Sequence, residues 1–308
     1  MAGTGVVVLG IFVADLAFRA VRLPAVGETI AGSGFKMGPG GKGSNQAVAA
    51  ARLGAKVTMI STVGRDEFGQ MALDTWRREG IVTAVRQSDR EPTGAAFIYV
   101  DELSGDNAII VVPGAAGTMN AADIEASAEL IRNAGVFVTQ LEQPLAAARR
   151  GLEIAKAAGV TTVFNPAPAG PVEREIYPLC DYVTPNETEA AQLTGIAVES
   201  VDDARRAGDA LLALGAGMAV ITLGEKGVLL HSAASSTHVP AFRVSPVVET
   251  AGAGDAFNGG FAVALARGDT PEAAARFGCA VAGLSVTKAG TAPSMPTLSE
   301  VEALLARG

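Results

Sequence analysis

A single aspartate follows a run of small residues in the stretch from Glu249 to Gly260, which reads ETAGAGDAFNGG. A helical pattern begins at Asp255, so the unpaired backbone N–H groups at the start of this helix should point toward one place and bind an anion. A carboxylate beside a bound anion is unfavourable unless it takes a proton from a hydroxyl that attacks phosphorus. The stretch therefore indicates phosphoryl transfer with Asp255 as the base. The alternative is an ordinary acidic residue in the first turn of a helix.

A second glycine-rich block, GPGGKGSNQA, covers residues 38 to 47. Its G-x-G-x-x-G spacing does not follow the first strand pattern, VVVL at 6 to 9, as a dinucleotide site requires. Nor is it a Walker A loop, because Gly43 rather than Ser or Thr follows Lys42. What remains is a backbone turn that brings Lys42 and Asn45 to the start of a helix, where polar groups suit sugar hydroxyls.

Two further segments place polar groups after strand patterns. Asn186 and Glu189, in TPNETE, follow a short strand, and their oxygens suit Mg²⁺ directly or through water, although the same residues also fit a helix capping box. The segment Thr222 to Gly227, TLGEKG, is a strand end and a glycine-bounded turn that suits either a hairpin or the wrapping of phosphates.

Composition excludes several classes of protein. Of the 308 residues, 49% are hydrophobic and only 5% aromatic, as in layered helix-on-sheet proteins. The net charge of -8 and the lack of a basic run argue against nucleic acid, and the lack of an 18-residue apolar stretch argues against a membrane partner. Two cysteines cannot form a disulfide framework, and the first residues lack a basic leader, so we expect a cytoplasmic protein.

Short apolar runs alternate with longer helical patterns along the chain. Strands are predicted at 6–9, 57–60, 136–139, 161–164, 182–184 and 218–222, and helices at 43–53, 66–79, 120–133, 145–158, 187–194, 201–214, 255–267 and 271–286. This order predicts an α/β fold with a mostly parallel sheet covered on both faces. Strand patterns within 11–36 and 92–113 break the order, the second of them as a hairpin, and we interpret them as a small accessory sheet. No linker divides the chain, so residues 1–308 are predicted to form one domain.

The two glycine-rich blocks, GGKGSNQA and ETAGAGDAFNGG, resemble the signatures of the ribokinase family of PfkB-type sugar kinases. The likeness covers nearly the whole chain through GETIAG at 27–32, QLEQP at 140–144, NPAPA at 165–169, TPNETEA at 184–190 and ITLGEKG at 221–227. The resemblance implies a three-layer α/β/α sandwich whose accessory sheet is a lid. It also implies transfer of the γ-phosphoryl group of ATP to a small sugar, first of all the 5-hydroxyl of D-ribose, with Mg²⁺, with K⁺ as activator, and in a homodimer joined through the lids.

The resemblance also assigns roles to individual residues. It makes Asp255 the base and places Gly252, Ala253 and Gly254 at the anion hole. The residues that it implies for the sugar pocket are Asp15, Gly41, Lys42, Asn45, Glu142 and Asp255. Those implied for ATP are Asn186, Thr222, Leu223, Gly224, Glu225, Lys226, Gly227, Gly254 and Cys279. Those implied for metals are Glu189, indirectly for Mg²⁺, and Glu249, Ala251, Ser285, Lys288, Gly290 and Ser294 for K⁺.

One substitution leaves the sugar open. Val13 stands where this family typically has an asparagine near the substrate hydroxyls, and a valine side chain forms no hydrogen bond. Another sugar, such as a ketohexose or a deoxy sugar acid, is therefore an alternative. A nucleoside is a further one, although few aromatic residues are available to stack a second purine. A non-catalytic sugar or nucleotide sensor with the same fold is the alternative from a different class.

Overall fold

The computed structural model describes residues 5–307, which form two β-sheets with helices around the larger one. In chain order the strands are β1 (Val6–Leu9), β2 (Val13–Ala20), β3 (Gly34–Gly40), β4 (Val57–Gly64), β5 (Val82–Ser88), β6 (Thr93–Asp101), β7 (Asn107–Gly114), β8 (Val136–Thr139), β9 (Thr161–Phe164), β10 (Tyr182–Val183), β11 (Met218–Thr222), β12 (Val228–His231) and β13 (Ser236–Val239). The α-helices are α1 (Lys42–Arg52), α2 (Glu67–Arg78), α3 (Ala121–Glu125), α4 (Ala128–Arg132), α5 (Leu145–Ala157), α6 (Glu187–Thr194), α7 (Val201–Ala213), α8 (Ala253–Ala266), α9 (Pro271–Ser285) and α10 (Leu298–Leu305).

The larger sheet has nine strands in the order β13-β12-β11-β10-β9-β8-β1-β4-β5. Seven neighbouring strands of this sheet run parallel to one another: β11, β10, β9, β8, β1, β4 and β5. β12 and β13 extend the sheet beyond β11 in antiparallel fashion. Alternate residues of β1 enter different hydrophobic clusters: Val6 and Val8 pack with α1, α2, α8 and α9, whereas Val7 and Leu9 pack with α3, α5 and α7. Because strand side chains alternate between faces, the sheet is the middle layer of an α/β/α sandwich, as predicted.

The smaller sheet has four strands in the order β3-β2-β6-β7. The predicted hairpin is present, since β6 and β7 pair in antiparallel fashion. The strand patterns predicted within 11–36 include β2 and the start of β3, which begins at Gly34 and continues through Gly40, past the predicted limit at 36. Pairing of this segment with β2 over seven residue pairs compensates for its weak strand propensity.

Most predicted elements are observed within one or two residues, and the differences have local causes. The helix predicted at 120–133 is two short helices, because the Ser127 amide donates to Ile124 O, three residues back, and interrupts the α-helical ladder. The strand predicted at 57–60 continues to Gly64 because β5 pairs with it. β5, an edge strand with exposed and polar positions, was not predicted.

Two further findings concern membrane spans and cysteines. Between residues 5 and 307, no helix is both long and apolar enough to cross a membrane. Cys180 and Cys279 are both buried free thiols.

Candidate active site

Polar residues that follow the parallel strands gather at the carboxyl edge of the large sheet. Gln140 follows β8, Asn165 follows β9, Thr184 follows β10, and Thr222 ends β11. α1 and α8 bring the two glycine-rich blocks to the same edge, since the Asn45 side chain in α1 bonds the Asp255 side chain in α8. Ligands of open α/β sheets bind at this edge, so we take the region as the candidate active site.

Asp255 lies in the first turn of α8 and is 6% exposed. Gly252, with φ of 80°, is the N-cap, and no side chain caps the helix. The Ala253 amide already donates to Thr250 O at 3.2 Å. Within residues 5–307, the amides of Gly254 and Asp255 have no hydrogen-bond partner, so these two donors are available to an anion.

Two amide side chains hold the Asp255 carboxylate. Asn45 Nδ2 donates to Oδ2 at 2.9 Å, and Gln46 Nε2 donates to Oδ1 at 3.0 Å. Burial raises the pKa of Asp255, and the charge of Lys42 with these two hydrogen bonds opposes part of that rise. The result is a buried carboxylate that is more basic than an exposed aspartate.

Lys42 connects the carboxylates of the site electrostatically. Burial lowers its pKa, but the charges of Asp255, Glu142 and Glu189 raise it by more, so the net pKa is raised and the ammonium is retained. Its backbone N–H donates to Glu142 Oε2 at 2.7 Å. Burial raises the pKa of Glu142 to about 7, although Lys42 opposes the rise.

The turn before Lys42 requires glycine. Gly41, the N-cap of α1, has φ of 90°, and a Cβ there would lie 2.6 Å from Ile11 O. A Cβ on Gly40 would lie 2.2 Å from Asp15 Oδ1, so the glycine block leaves room for that carboxylate. Burial raises the pKa of Asp15 to about 6, with an opposing hydrogen bond from Thr291. The residues predicted for the sugar pocket are thus close together.

Apart from Gly254 in α8 and Cys279 in α9, the residues predicted for the nucleotide lie after β10 and at the end of β11. Asn186 and Thr222 form a parallel β-bridge, and Leu223 N donates to Gly227 O at 2.7 Å to close the turn that includes Gly224, Glu225 and Lys226. The capping box is present: Glu189 N donates to Asn186 Oδ1 at 2.8 Å, and Asn186 N donates to Glu189 Oε2 at 2.9 Å. One Glu189 oxygen is engaged in this way, and burial raises the pKa of the group.

The residues predicted for K⁺ also converge. Glu249 Oε2 accepts from Gly290 N at 2.8 Å, and its backbone N–H donates to Val286 O at 3.2 Å. The Ser285 and Ser294 hydroxyls donate to the carbonyls of Ala282 and Thr291, both at 2.8 Å. Lys288 instead pairs with Glu300 at 2.7 Å, and Ala251 lies exposed in the turn before α8.

Cys279, predicted as a nucleotide contact, lies within α9 and is 6% exposed among the core residues. Burial raises the pKa of its thiol to about 12, so it is an uncharged, inert group. Its contact with nucleotide stays a prediction.

Four buried polar residues next to Asp255 were not predicted as site residues, although the sequence motifs contain them: Gln46, Gln140, Asn165 and Asn258. The available signal was their polarity within glycine-rich or post-strand blocks, since buried polar groups need partners. Among the described residues, no cluster of three or more His, Cys, Asp or Glu could hold a metal ion without other ligands.

Comparison with known proteins agrees with this arrangement. The family model described as "pfkB family carbohydrate kinase" matches residues 4–298. The chain is 40% identical to a ribokinase of Haemophilus influenzae, covering 95% of both chains, and 37% identical to a deoxyribokinase of Salmonella typhi, covering 96% of both. A solved ribokinase of Arabidopsis thaliana, complexed with ribose and ATP, superposes with a TM-score of 0.92 at 32% identity and covers 99% of both chains.

Proposed function

Because the chain belongs to the pfkB family of carbohydrate kinases, we propose that it transfers the γ-phosphoryl group of ATP to the 5-hydroxyl of D-ribose, with Asp255 as the base. The observation that supports this most directly is the buried Asp255 carboxylate beside the uncapped start of α8. Ribose is the first choice because a relative at 40% identity over 95% of the chain is a ribokinase.

The sugar binds among the polar residues of α1, β2 and the segment after β8. Carboxylates at Asp15 and Glu142 accept hydrogen bonds from sugar hydroxyls, and Lys42 and Asn45 donate to them. Asp255 then takes the proton of the attacking hydroxyl. Its raised pKa is suited to this task, because a base whose pKa lies nearer the working pH accepts a proton more readily.

The amides of Gly252, Gly254 and Asp255 stabilise negative charge on the phosphoryl group during transfer. The Ala253 amide, which the resemblance also implied for the anion hole, donates to Thr250 O instead. ATP lies along Asn186 and the turn from Thr222 to Gly227, whose closed backbone suits phosphate oxygens. The start of α8 supports this anion role because Gly254 is exposed and its amide has no partner within residues 5–307.

Mg²⁺ fits this site as a partner of the nucleotide. The described residues offer no all-protein cage, and Mg²⁺ ordinarily keeps waters and phosphate oxygens among its ligands. Glu189, with one oxygen outside the capping box, would hold one of those waters. When bound, Mg²⁺ neutralises charge on the phosphates.

K⁺ fits the loop between α9 and α10. The Glu249 carboxylate accepts from the Gly290 amide, and the Ser285 and Ser294 hydroxyls donate to nearby carbonyls. Carboxylate, hydroxyl and carbonyl oxygens, which suit a hard cation, therefore lie together near this loop. We propose that K⁺ binds there through these oxygens and the carbonyl of Ala251, and that Lys288 contributes its backbone rather than its paired side chain.

The smaller sheet is proposed to close over the sugar and to join two copies of the chain. Its outer strands expose Phe35, Ile110 and Val112, each about 60% accessible. Two free buried thiols and the use of ATP support a cytoplasmic setting.

A second candidate substrate is 2-deoxyribose. The chain is 37% identical to a deoxyribokinase over 96% of its length, and Val13, 2% exposed at the start of β2, forms no side-chain hydrogen bond. A pocket with valine at this position loses less binding free energy when the sugar lacks a hydroxyl, because no side-chain polar group is left unpaired there. An unpaired buried polar group costs about 1 to 3 kcal/mol.

The test is ADP release from Mg-ATP with ribose, deoxyribose, fructose, a keto-deoxy sugar acid and adenosine, with K⁺ or Na⁺, for the wild type and Asp255→Asn. We expect ribose turnover that falls by about 10² to 10⁴ in Asp255→Asn, while ADP still binds. Higher kcat/KM with deoxyribose would favour the second candidate. Turnover that persists in Asp255→Asn would exclude Asp255 as the base, and the lack of turnover with every sugar would favour a sensor.

A further inference from the structure

Gln46 contacts the Asp255 carboxylate from a fully enclosed position. It is 1% exposed and donates from Nε2 to Asp255 Oδ1 at 3.0 Å. The other carboxylate oxygen accepts from Asn45, a residue assigned to the sugar pocket. Gln46 is too deeply buried to reach a ligand, so its contact with Asp255 acts on the carboxylate itself.

All the polar groups of the Gln46 side chain are engaged. One Nε2 hydrogen serves Asp255, the other serves Asn165 Oδ1 at 3.1 Å, and Gln46 Oε1 accepts from Gln140 Nε2 at 2.7 Å. A primary amide has two donor hydrogens and one acceptor oxygen, so this set matches its groups one to one. Rotation of the amide by half a turn would place an oxygen against two acceptors and a nitrogen against a donor.

The orientation of Gln46 is traceable to a backbone carbonyl. Asn165 Nδ2 donates to Thr184 O at 2.8 Å, and a carbonyl only accepts. The Asn165 oxygen must therefore face Gln46, which in turn must present its nitrogen. The ends of β9 and β10 thus determine which atom of Gln46 meets Asp255.

A second branch from Thr184 reaches the first turn of α8. Thr184 Oγ1 donates to Asn258 Oδ1 at 2.6 Å, and Asn258 Nδ2 donates to Gly254 O at 2.9 Å. Thr184 is 1% exposed and Asn258 2% exposed, so water does not compete for these bonds. Both the Asp255 side chain and the adjacent backbone are held by one set of buried hydrogen bonds.

We propose that Gln46 is a positioning residue for the phosphoryl-transfer reaction: it fixes the Asp255 carboxylate toward the sugar hydroxyl and favours its unprotonated form. The inference rests on the proposed function, because it takes Asp255 to be the base. A donor to a carboxylate stabilises the charged state, so loss of this donor makes the carboxylate harder to ionise. The other charged groups that act on Asp255 are unchanged in such a variant: Lys42, Asp15, Glu142 and Glu189. Loss of the donor also frees the side chain to rotate, and small misplacement of a reacting group is costly.

The test compares Gln46→Met with Gln143→Met and Asp255→Asn, using ADP release with the best sugar from pH 5 to 9. Gln143 is a matched control because it is 4% exposed and donates to Thr139 Oγ1 and Gln140 O rather than to Asp255. For Gln46→Met we expect kcat to fall about 10- to 100-fold, with sugar KM within about threefold of wild type. The acid limb of log kcat against pH should move to higher pH. Gln143→Met should keep the wild-type profile.

A kcat and pH profile of Gln46→Met equal to those of Gln143→Met, with Asp255→Asn inactive, would overturn the positioning role and leave the base assignment intact. Wild-type turnover in Asp255→Asn would overturn both. If thermal unfolding shows that Gln46→Met is not folded, Gln140→Met tests the proposal instead, because it removes only the donor to Gln46 Oε1. Gln140→Met should move the acid limb of log kcat to higher pH, by less than is expected for Gln46→Met. An unchanged acid limb in Gln140→Met would overturn the proposal.

Discussion

At the scale of single residues, Glu142 is a partly buried carboxylate of the proposed sugar pocket whose ionisation lowers the free energy of unfolding. Its carboxylate accepts from the Lys42 backbone, yet burial raises its pKa from an ordinary 4.5 to about 7. A carboxyl with a raised pKa in the folded state binds more protons when folded than when unfolded. Its contribution to stability is therefore fully present below about pH 4.5 and is lost as the pH rises through 7.

Glu142→Gln should therefore make the protein more stable at pH 8, by about 1 to 3 kcal/mol, because the neutral amide is buried at less cost and its oxygen still accepts from Lys42. The free energy of unfolding, measured in denaturant at pH 5 and pH 8, should depend less on pH than in the wild type. The sugar KM should rise about 10-fold or more, because a charged acceptor is lost. The exposed Glu302→Gln is the control, and an equal effect in both variants would contradict the argument.

The residues of the site differ in how far the sequence reveals them. Asp255, Lys42 and Asn45 lie beside glycines whose spacing has few structural explanations, so their convergence was predictable. Gln46 has the same neighbours in sequence but is one of several polar residues in an alanine-rich helix. Its partners Asn165 and Asp255 lie 119 and 209 residues away, and only the folded chain shows that they meet.

At the scale of elements, the start of α1 packs against the end of β1 at a pair of glycines. A Cβ on Gly43 would lie 2.7 Å from Gly10 Cα and 2.8 Å from Gln140 Oε1, although the backbone of Gly43 itself suits any residue. The approach brings the first turn of α1, with Lys42 and Asn45, within reach of the residues after β8.

Gly43→Ala should therefore destabilise the protein by about 1 to 3 kcal/mol through overpacking. Because the added methyl group displaces the turn that holds Lys42 and Asn45, kcat/KM should fall more than stability alone explains. Thermal unfolding and steady-state kinetics on the same preparations measure the two effects. Gly170→Ala is the control, since its added Cβ would meet nothing closer than Pro168 O at 3.9 Å. A Gly43→Ala variant with normal stability would show that the helix shifts freely.

Elements with strong hydrophobic periodicity were predictable, and those that depend on their neighbours were not. α6 and β11 were predicted to the residue. β5 was missed because its sequence, VTAVRQS, is partly polar and becomes a strand by pairing with β4. The break between α3 and α4 was missed because it depends on one hydrogen bond of Ser127.

At the scale of the whole molecule, the smaller sheet presents more apolar surface than a lone subunit needs. Phe18 packs against Phe35 with ring centroids 4.9 Å apart and against Phe97 at 5.7 Å, and all three side chains remain partly exposed. Along β7 the exposed apolar residues are Ile109, Ile110, Val111 and Val112. Exposed apolar patches of this kind on an edge strand mark interaction sites, and a second copy of the same sheet is a self-complementary partner.

Ile110→Lys should therefore separate the proposed homodimer into subunits, because it places a charge within the apolar surface of β7, where Ile110 is 65% exposed. Light scattering after gel filtration should give about twice the 31.1 kDa chain mass for the wild type and the single-chain mass for the variant. Val82→Lys is the matched control, since Val82 is a 61% exposed strand residue of the large sheet. If the lids also complete the sugar pocket for each other, sugar KM should rise with dissociation while the thermal stability of the large sheet is kept. A wild type that is monomeric at all concentrations would contradict the homodimer. The apolar face of the smaller sheet would then serve only in closure over the sugar.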